Sequence, residues 1–525
     1  MNSEKIYDAL TDVREEFIEE AMERKLRKSP RRNLVVRWYA VAASLMIVVG
    51  IGSYIFMNIG GNSGAPSVPG ASTVGGGRDS GSTTFMSYAG PVFTLSVLGD
   101  ADGINASRDI TFDFGGFGLT GTDENAHFSD VTVTDSYILT NDTGSGKSVE
   151  ILYPFAGSFI DLHRLRPVIT AGENALDAKL TAGPYRGGFS GIEGIEDERV
   201  NLNQINSWED YFALLSDGEY LRHTLGERTP LDQTVIVYRF SNARGNHDES
   251  VAPTLAASFD LDYERTRVLT YLFNGASFDY ENGSMRRSFF VPRDGFPEYG
   301  RSYYMIVVGD DISNLTVQGY ENGGCYEGDE VDHVSVDVTR SETVLGDVFA
   351  LLLDEFMDVH SGRRYTGFDY YGSDLDMAML YRASAELFLS HGATSYSPAF
   401  RYHTGEMTDI FYETLVMGRL FYLGAEIDIP ADGSVTINAV MVKQGSFDFF
   451  GSGSENTGVC GYDMLTRAGS NLPFSGMTAG LASFEGIEIV KQNFGFDPEK
   501  GIMTVILDLD QPHYYLEVRG LEPGE

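Results

Sequence analysis

Apolar residues change their spacing along the chain, and each change marks an element. In residues 3–28, Ile6, Leu10, Val13, Phe17 and Ala21 recur every three or four positions, the period of a helix with one apolar face. Acidic residues dominate the front of that stretch and basic residues its end, which complements a helix dipole. Residues 38–59, WYAVAASLMIVVGIGSYIFMNI, are 22 positions without one charge. About 20 apolar residues cross a bilayer core as a helix, so a single transmembrane helix is predicted there. Trp38 and Tyr39 at one end, with Tyr54 and Phe56 near the other, suit the aromatic belts that anchor such a helix. Residues 60–88 are dominated by Gly, Ser and Pro and read as a flexible tether.

Beyond the tether the period shortens. Residues 92–98, 109–114, 128–141 and 148–155 alternate or run apolar, which predicts strands of a β-sandwich-like domain over 89–200. A helix is expected over 207–225, capped by Ser207. A second β region, 201–338, has strands at 235–240, 268–273, 277–280, 285–291 and 303–308. Asn282-Gly283 marks a hairpin and Asn274-Gly275 a further turn. A helical insert, 339–417, follows. Thr339-x-x-Glu342 reads as a capping box opening a helix to residue 360, with Val344, Leu345, Val348, Phe349, Leu352 and Phe356 on its buried face. Ser373-x-x-Asp376 opens a second helix ending at Gly392, and a third spans 406–416. Strands at 419–429 and 434–442 flank Pro-Ala-Asp-Gly as a hairpin. With 487–492, 502–507 and 513–518 they complete a C-terminal β-sandwich-like domain, 418–525. The fold class is mainly β, with one membrane helix and a helical insert.

Charge orients this arrangement. The 525 residues carry 38 Lys and Arg against 76 Asp and Glu, a net charge of −38. Residues 1–37 hold 9 basic and 8 acidic groups, leaving −39 for residue 38 onward. Seven basic residues between Arg24 and Arg37 precede the apolar run, and the next charge after it is Arg78. The positive-inside rule then places residues 1–37 in the cytoplasm and the acidic remainder outside. A cleaved signal peptide is about 15–30 residues with a short apolar stretch, so an uncleaved anchor is expected. The acidity argues against nucleic acid as a partner.

The N-terminal pattern, ALTDVREEFIEEA followed by a basic stretch and one span, resembles membrane-anchored anti-sigma-factor-like regulators of Gram-positive bacteria. The resemblance covers about the first sixty residues and implies a cytosolic regulator docked on Ile6, Leu10, Val13 and Phe17. The zinc-binding version of that family carries His-x3-Cys-x2-Cys, whereas this chain has no His before His127 and no Cys before Cys325. The outer region is assigned to no family.

Other motifs carry little chemistry. TGSGKS at 143–148 resembles a phosphate loop, but Asn141 stands where the pattern needs Gly, and a strand follows where a helix must begin. A hairpin turn is expected there instead. Gly-x-Ser-x-Gly fails around Ser190 because Ile192 replaces the glycine. The nine His form no short metal-binding pair. Asp100 with Asp102, the Glu327–Asp332 cluster, and Asp369, Asp374 and Asp376 offer oxygen ligands for calcium without matching its twelve-residue loop. No cofactor is expected otherwise. Cys325 and Cys460 face an oxidising compartment, where they form either a disulfide or two buried thiols. Trp208 is the one outer Trp available as a sugar platform. In the pairs Tyr303-Tyr304, Tyr370-Tyr371 and Tyr514-Tyr515, strand alternation predicts one core and one surface ring each.

These features favour a surface sensor or ligand-binding protein with a cytosolic docking helix. A structural or adhesive envelope protein, and an envelope-polymer hydrolase using a carboxylate pair, are the alternatives.

Overall fold

Along residues 130–141 the inward positions are Val131, Val133, Asp135, Tyr137, Leu139 and Asn141, a strict period of two that a sheet with one buried face demands. The computed structural model that shows this describes residues 85–118, 129–183, 207–216, 231–245, 253–292, 301–360, 375–396, 405–448 and 454–521. The helix stripe, residues 38–59 and residues 60–84 of the tether lie outside that set, whereas residues 85–88, expected as its flexible end, are instead hydrogen-bonded into the fold. Among the described residues no helix is long and apolar enough to cross a membrane.

The fold is mainly β. Its first part holds β1 (Ser96–Leu98), β2 (Ile104–Asp113), β3 (Asp130–Asn141), β4 (Lys147–Gly157), a helical turn α1 (Leu162–Leu165), β5 (Val168–Ala171), β6 (Asn174–Ala175), β7 (Lys179–Ala182) and α2 (Trp208–Ser216). The middle part holds β8 (Thr234–Arg244), β9 (Thr254–Asp260), β10 (Thr266–Tyr271), β11 (Gly275–Asp279), β12 (Ser284–Phe290), β13 (Tyr303–Gly309), β14 (Ser313–Tyr320), β15 (Glu330–Val331) and β16 (Ser335–Val344). Helices α3 (Leu345–His360), α4 (Met377–Ser390) and α5 (Met407–Val416) come next. The chain closes with β17 (Arg419–Ile429), β18 (Ser434–Gln444), β19 (Val459–Leu465), β20 (Phe474–Ala482), β21 (Ile487–Gln492), β22 (Thr504–Ile506) and β23 (His513–Gly520).

Sheet order joins what the sequence separates. One sheet runs β1-β4-β17-β7 and a larger one β22-β20-β2-β3-β18-β5-β6, with β19-β23-β21 beside them. Strands from 89–200 and from 418–525 thus alternate within the same sheets and share one core, rather than forming two separate sandwiches. β2 even pairs with β20 in parallel across more than 350 residues.

Two expected hairpins are corrected by this order. β3 and β4 lie in different sheets, as do β17 and β18. The turns after Asn141 and after Ile429 are therefore arches crossing the core, and the two arches stack. Asn141, fully buried, staples them: its Nδ2 donates to Ser145 O (2.8 Å) and Pro430 O (3.1 Å), and its own N donates to Gly433 O (2.9 Å). TGSGKS is such an arch running into strand β4, with no helix to receive a phosphate.

The middle region is a second pair of sheets, β10-β13-β8-β16 and β11-β12-β9-β14-β15, with its own core. The first of these is covered on both faces, because α3 and α5 pack on its outer side. Hence Tyr303 and Tyr304 are both buried. The expected split into core and surface rings fails there, and fails again at the buried Tyr514 and Tyr515. Tyr370 and Tyr371 lie outside the described residues. Asn282-Gly283 does close the β11–β12 turn, with Gly283 at φ +67°.

The Thr339 capping box is also overturned. Thr339 pairs with Arg239 and Glu342 with Ile236 in an edge strand, and α3 starts only at Leu345, whose N donates to Gln233 O. Ladder bonds to β8 satisfy the backbone that a cap would have served. Val344 is exposed, while Leu345, Val348, Phe349, Leu352 and Phe356 are buried as expected. The starts at Ser207 and Glu406 hold, while the second helix starts at Met377 with Asp376 as its cap, and Ser373 lies outside the described residues. Ser207 and Asp210 cap α2 reciprocally, Ser207 Oγ accepting from Asp210 N (3.3 Å) and Asp210 Oδ2 from Ser207 N (3.1 Å). Asp376 Oδ1 accepts from Ala378 N at the start of α4.

Glu406 caps α5 and ties it to β10. Its Oε1 accepts from Thr408 Oγ1 (2.6 Å) and from Leu272 N (2.9 Å), and its Oε2 from Thr270 Oγ1 (2.9 Å). It thereby holds Leu272 at φ +67°, a region that costs a branched residue energy. Burial pushes the carboxyl up to about 7. The folded state then keeps a proton that the unfolded chain releases near the ordinary carboxyl pKa. Stability from this group declines as pH rises through that window. Glu406→Gln should gain up to about 3 kcal/mol over the parent between pH 5 and pH 8, read by urea unfolding at the two values. A gap that does not change with pH would refute this.

Candidate functional site

The last residues of the expected tether and those after it are laid into the outer fold. The Phe85 ring covers Gly461 of β19, where a Cβ would stand 2.4 Å from it. Met86 N donates to Asp448 Oδ1 (2.6 Å), Ser87 exchanges both backbone bonds with Phe447 (2.9 Å each), and Ala89 N donates to Ser446 Oγ (2.9 Å). Val92 then bridges β19, donating to Asp463 O and accepting from Leu465 N. We call residues 85–93 the strap.

Under the strap lie buried charges from distant parts of the chain. Lys443 falls on the inward parity of β18, in line with Ile437, Ala439 and Met441, and is 8% exposed. Its Nζ donates to Ala89 O (3.0 Å) and Gln444 O (3.3 Å), so among the described residues two of its three ammonium donors are used. Burial pushes its pKa down to about 8, against the pull of the Asp463 and Asp130 charges. Tyr88 Oη donates to Asp463 Oδ2 (2.5 Å), and His513 Nε2 meets the same oxygen at 3.0 Å. Burial, and then the Asp463 carboxylate, push the Tyr88 phenol well above its usual value, so it stays a donor. Asp463 Oδ1 is buried without a hydrogen-bond partner. Trp208 stacks on His513, ring centroids 4.4 Å apart and 6° from parallel.

A cavity of about 370 Å³ opens beside this network. Strap residues, Tyr211 of α2, the end of β4, Met417 and Lys443 line it, with Asp161 and Ser158 on its wall. Hollows of about 590 and 710 Å³ elsewhere are more open to solvent and hold no buried ammonium. The set around the cavity is a donor and acceptor array. His513 pairs with Asp463 and, among the described residues, with no hydroxyl or thiol.

Of the residues singled out in the sequence, Ile6, Leu10, Val13, Phe17, Trp38, Tyr39, Tyr54 and Phe56 lie outside the described residues. Cys325 and Cys460 are free thiols, both buried. Cys325 sits in the β14–β15 turn of the middle region and Cys460 in β19, where burial pushes its thiol up to about 12. Of the two alternatives, the structure has the two buried thiols and no disulfide between them. Asp100 is spent on its own turn, accepting from Asp102 N, as is Glu330, accepting from Gly328 N. Asp376 caps a helix, and Asp369 and Asp374 are outside the described set. Among the described residues no three His, Cys, Asp or Glu side chains converge as metal ligands. Trp208 is used against His513 and is not a free platform.

The cluster around Lys443 was not anticipated. One signal was available: a lysine at an inward position of an otherwise apolar alternation. No protein-family model matches the chain, and no curated protein matches it significantly.

Proposed function

We propose that this chain is a membrane-tethered extracytoplasmic sensor, in which an outer binding module is read through the segment joining it to the membrane. The supporting observation is that the 370 Å³ cavity takes seven lining residues, 86–89 and 91–93, from the strap. A ligand held there touches the continuation of the tether directly. On the inner side, the stripe of Ile6, Leu10, Val13 and Phe17 would hold a cytosolic regulator. An isolated helix of that length is marginal in water and gains from a partner.

Gly461→Val tests the coupling. The added side chain meets the Phe85 ring and should lift the strap while β19 keeps its pairing with β23. Chymotrypsin cleavage after Phe85 and Tyr88 should quicken by at least about tenfold, since it tracks local opening. In cells the variant should alter transcript levels relative to the parent, and deleting residues 3–28 should abolish the change. A lifted strap with unchanged transcripts would remove the sensor reading.

A further inference from the structure

Two opposite charges line the cavity, the Lys443 ammonium and Asp161. The side chain of Asp161 is 36% exposed and 3.8 Å from Arg164. Arg164 is engaged more closely elsewhere, at 2.6 Å from Asp130. Ser158 Oγ donates to Asp161 Oδ2 (2.7 Å) and orients that carboxylate, the one hydrogen bond to this side chain among the described residues. The rest of the lining mixes apolar Phe155, Leu165, Val416 and Met417 with polar Ser87, Tyr88 and Gln444. Such mixed walls, at about 300–1,000 Å³, suit a small organic ligand.

The overall charge narrows the class. A chain at −38 repels a simple anion before it reaches Lys443. A simple cation would be drawn to the whole acidic surface and would meet Lys443 unfavourably. A zwitterion has no net charge to steer and satisfies both charges at once.

We propose that the cavity binds a free amino acid or short peptide, with its carboxylate on Lys443 and its ammonium on Asp161. This ligand assignment rests on the cavity being the sensor's binding site, and it is tested apart from the coupling. Full-length protein in detergent is melted with each of the twenty amino acids and with dialanine, at about 10 mM. At least one should raise Tm by about 2 °C or more, as a ligand that binds only the folded state must. Its amide, which lacks the carboxylate, and its N-acetyl form, which lacks the ammonium, should give no shift. By calorimetry Lys443→Met should abolish binding, and Asp161→Asn should raise Kd by about tenfold. Asp161 is half-exposed, so that variant remains informative if Lys443→Met fails to fold. No shift with any probe, an N-acetyl form that binds as well as its parent, or binding indifferent to both substitutions would overturn the assignment. Binding that leaves cleavage after Phe85 and Tyr88 unaltered would instead keep the assignment and remove the sensor coupling.

Discussion

Asp135→Ala should destabilise the folded region by about 3–5 kcal/mol, the cost of stranding one partner of a buried ion pair. Asp135 is fully buried and Arg108 is 2% exposed. Arg108 Nε and Nη2 grip the two carboxylate oxygens at 2.7 and 2.8 Å, the planar fork geometry that makes such pairs strong. The remaining valences are used as well. Arg108 donates to Leu465 O and Phe93 O (2.8 Å each), and Tyr137 and Tyr153 donate their hydroxyls to Asp135 Oδ2 at 2.8 and 2.9 Å. Burial holds both phenols well above their usual pKa, so they remain donors at any physiological pH. Removing Asp135 leaves a buried guanidinium without its counter-charge, and two hydroxyls without the carboxylate that accepts from them. The pair Arg108→Met with Asp135→Leu should recover much of the loss, because it removes both charges together. Urea unfolding followed by circular dichroism measures both. A cost under about 1 kcal/mol for Asp135→Ala would show the network to be dispensable.

Phe349→Ala should cost about 3–5 kcal/mol as well, through the cavity it leaves. Its ring is fully buried and stands edge-on to Tyr381 (5.3 Å), Phe388 (5.3 Å) and Phe411 (5.1 Å). Those partners come from α4 and α5, so one side chain holds three helices together. The same helices cover the outer face of the β10-β13-β8-β16 sheet, and Tyr271 of β10 packs against Phe411. Hydrogen exchange in the variant should therefore rise in α4, α5 and β10 as one unit. Faster exchange confined to the helices would show them to be a separable insert.

The positions of most elements were legible in the sequence. Strand alternation located β3, β4, β13, β17, β18, β21 and β23 to within a few residues, because period two is a local property of the backbone. Asp376 and Ser207 were readable as caps for the same reason. Thr339-x-x-Glu342 misled, since a capping box and a polar edge strand have the same local composition, and only the partner β8 decides between them.

The candidate site was less legible. Lys443, Asp463, His513, Tyr88 and Trp208 come from five separate stretches, and none carries a local motif. Lys443 and Asp135 each break an apolar alternation, which marks a buried charge but does not name its partner.

By itself the sequence determined where many of the strands and helices form, the uncharged run at 38–59 with its basic flank, and the acidic balance beyond it. These depend on neighbours in the chain. Only the tertiary structure decided that Asn141 staples two arches and that 89–200 and 418–525 build common sheets. It also decided that the two cysteines stay apart and that the strap covers a buried lysine. Each of these depends on pairing across hundreds of residues, where the burial of two faces against each other, and not local propensity, selects the partner.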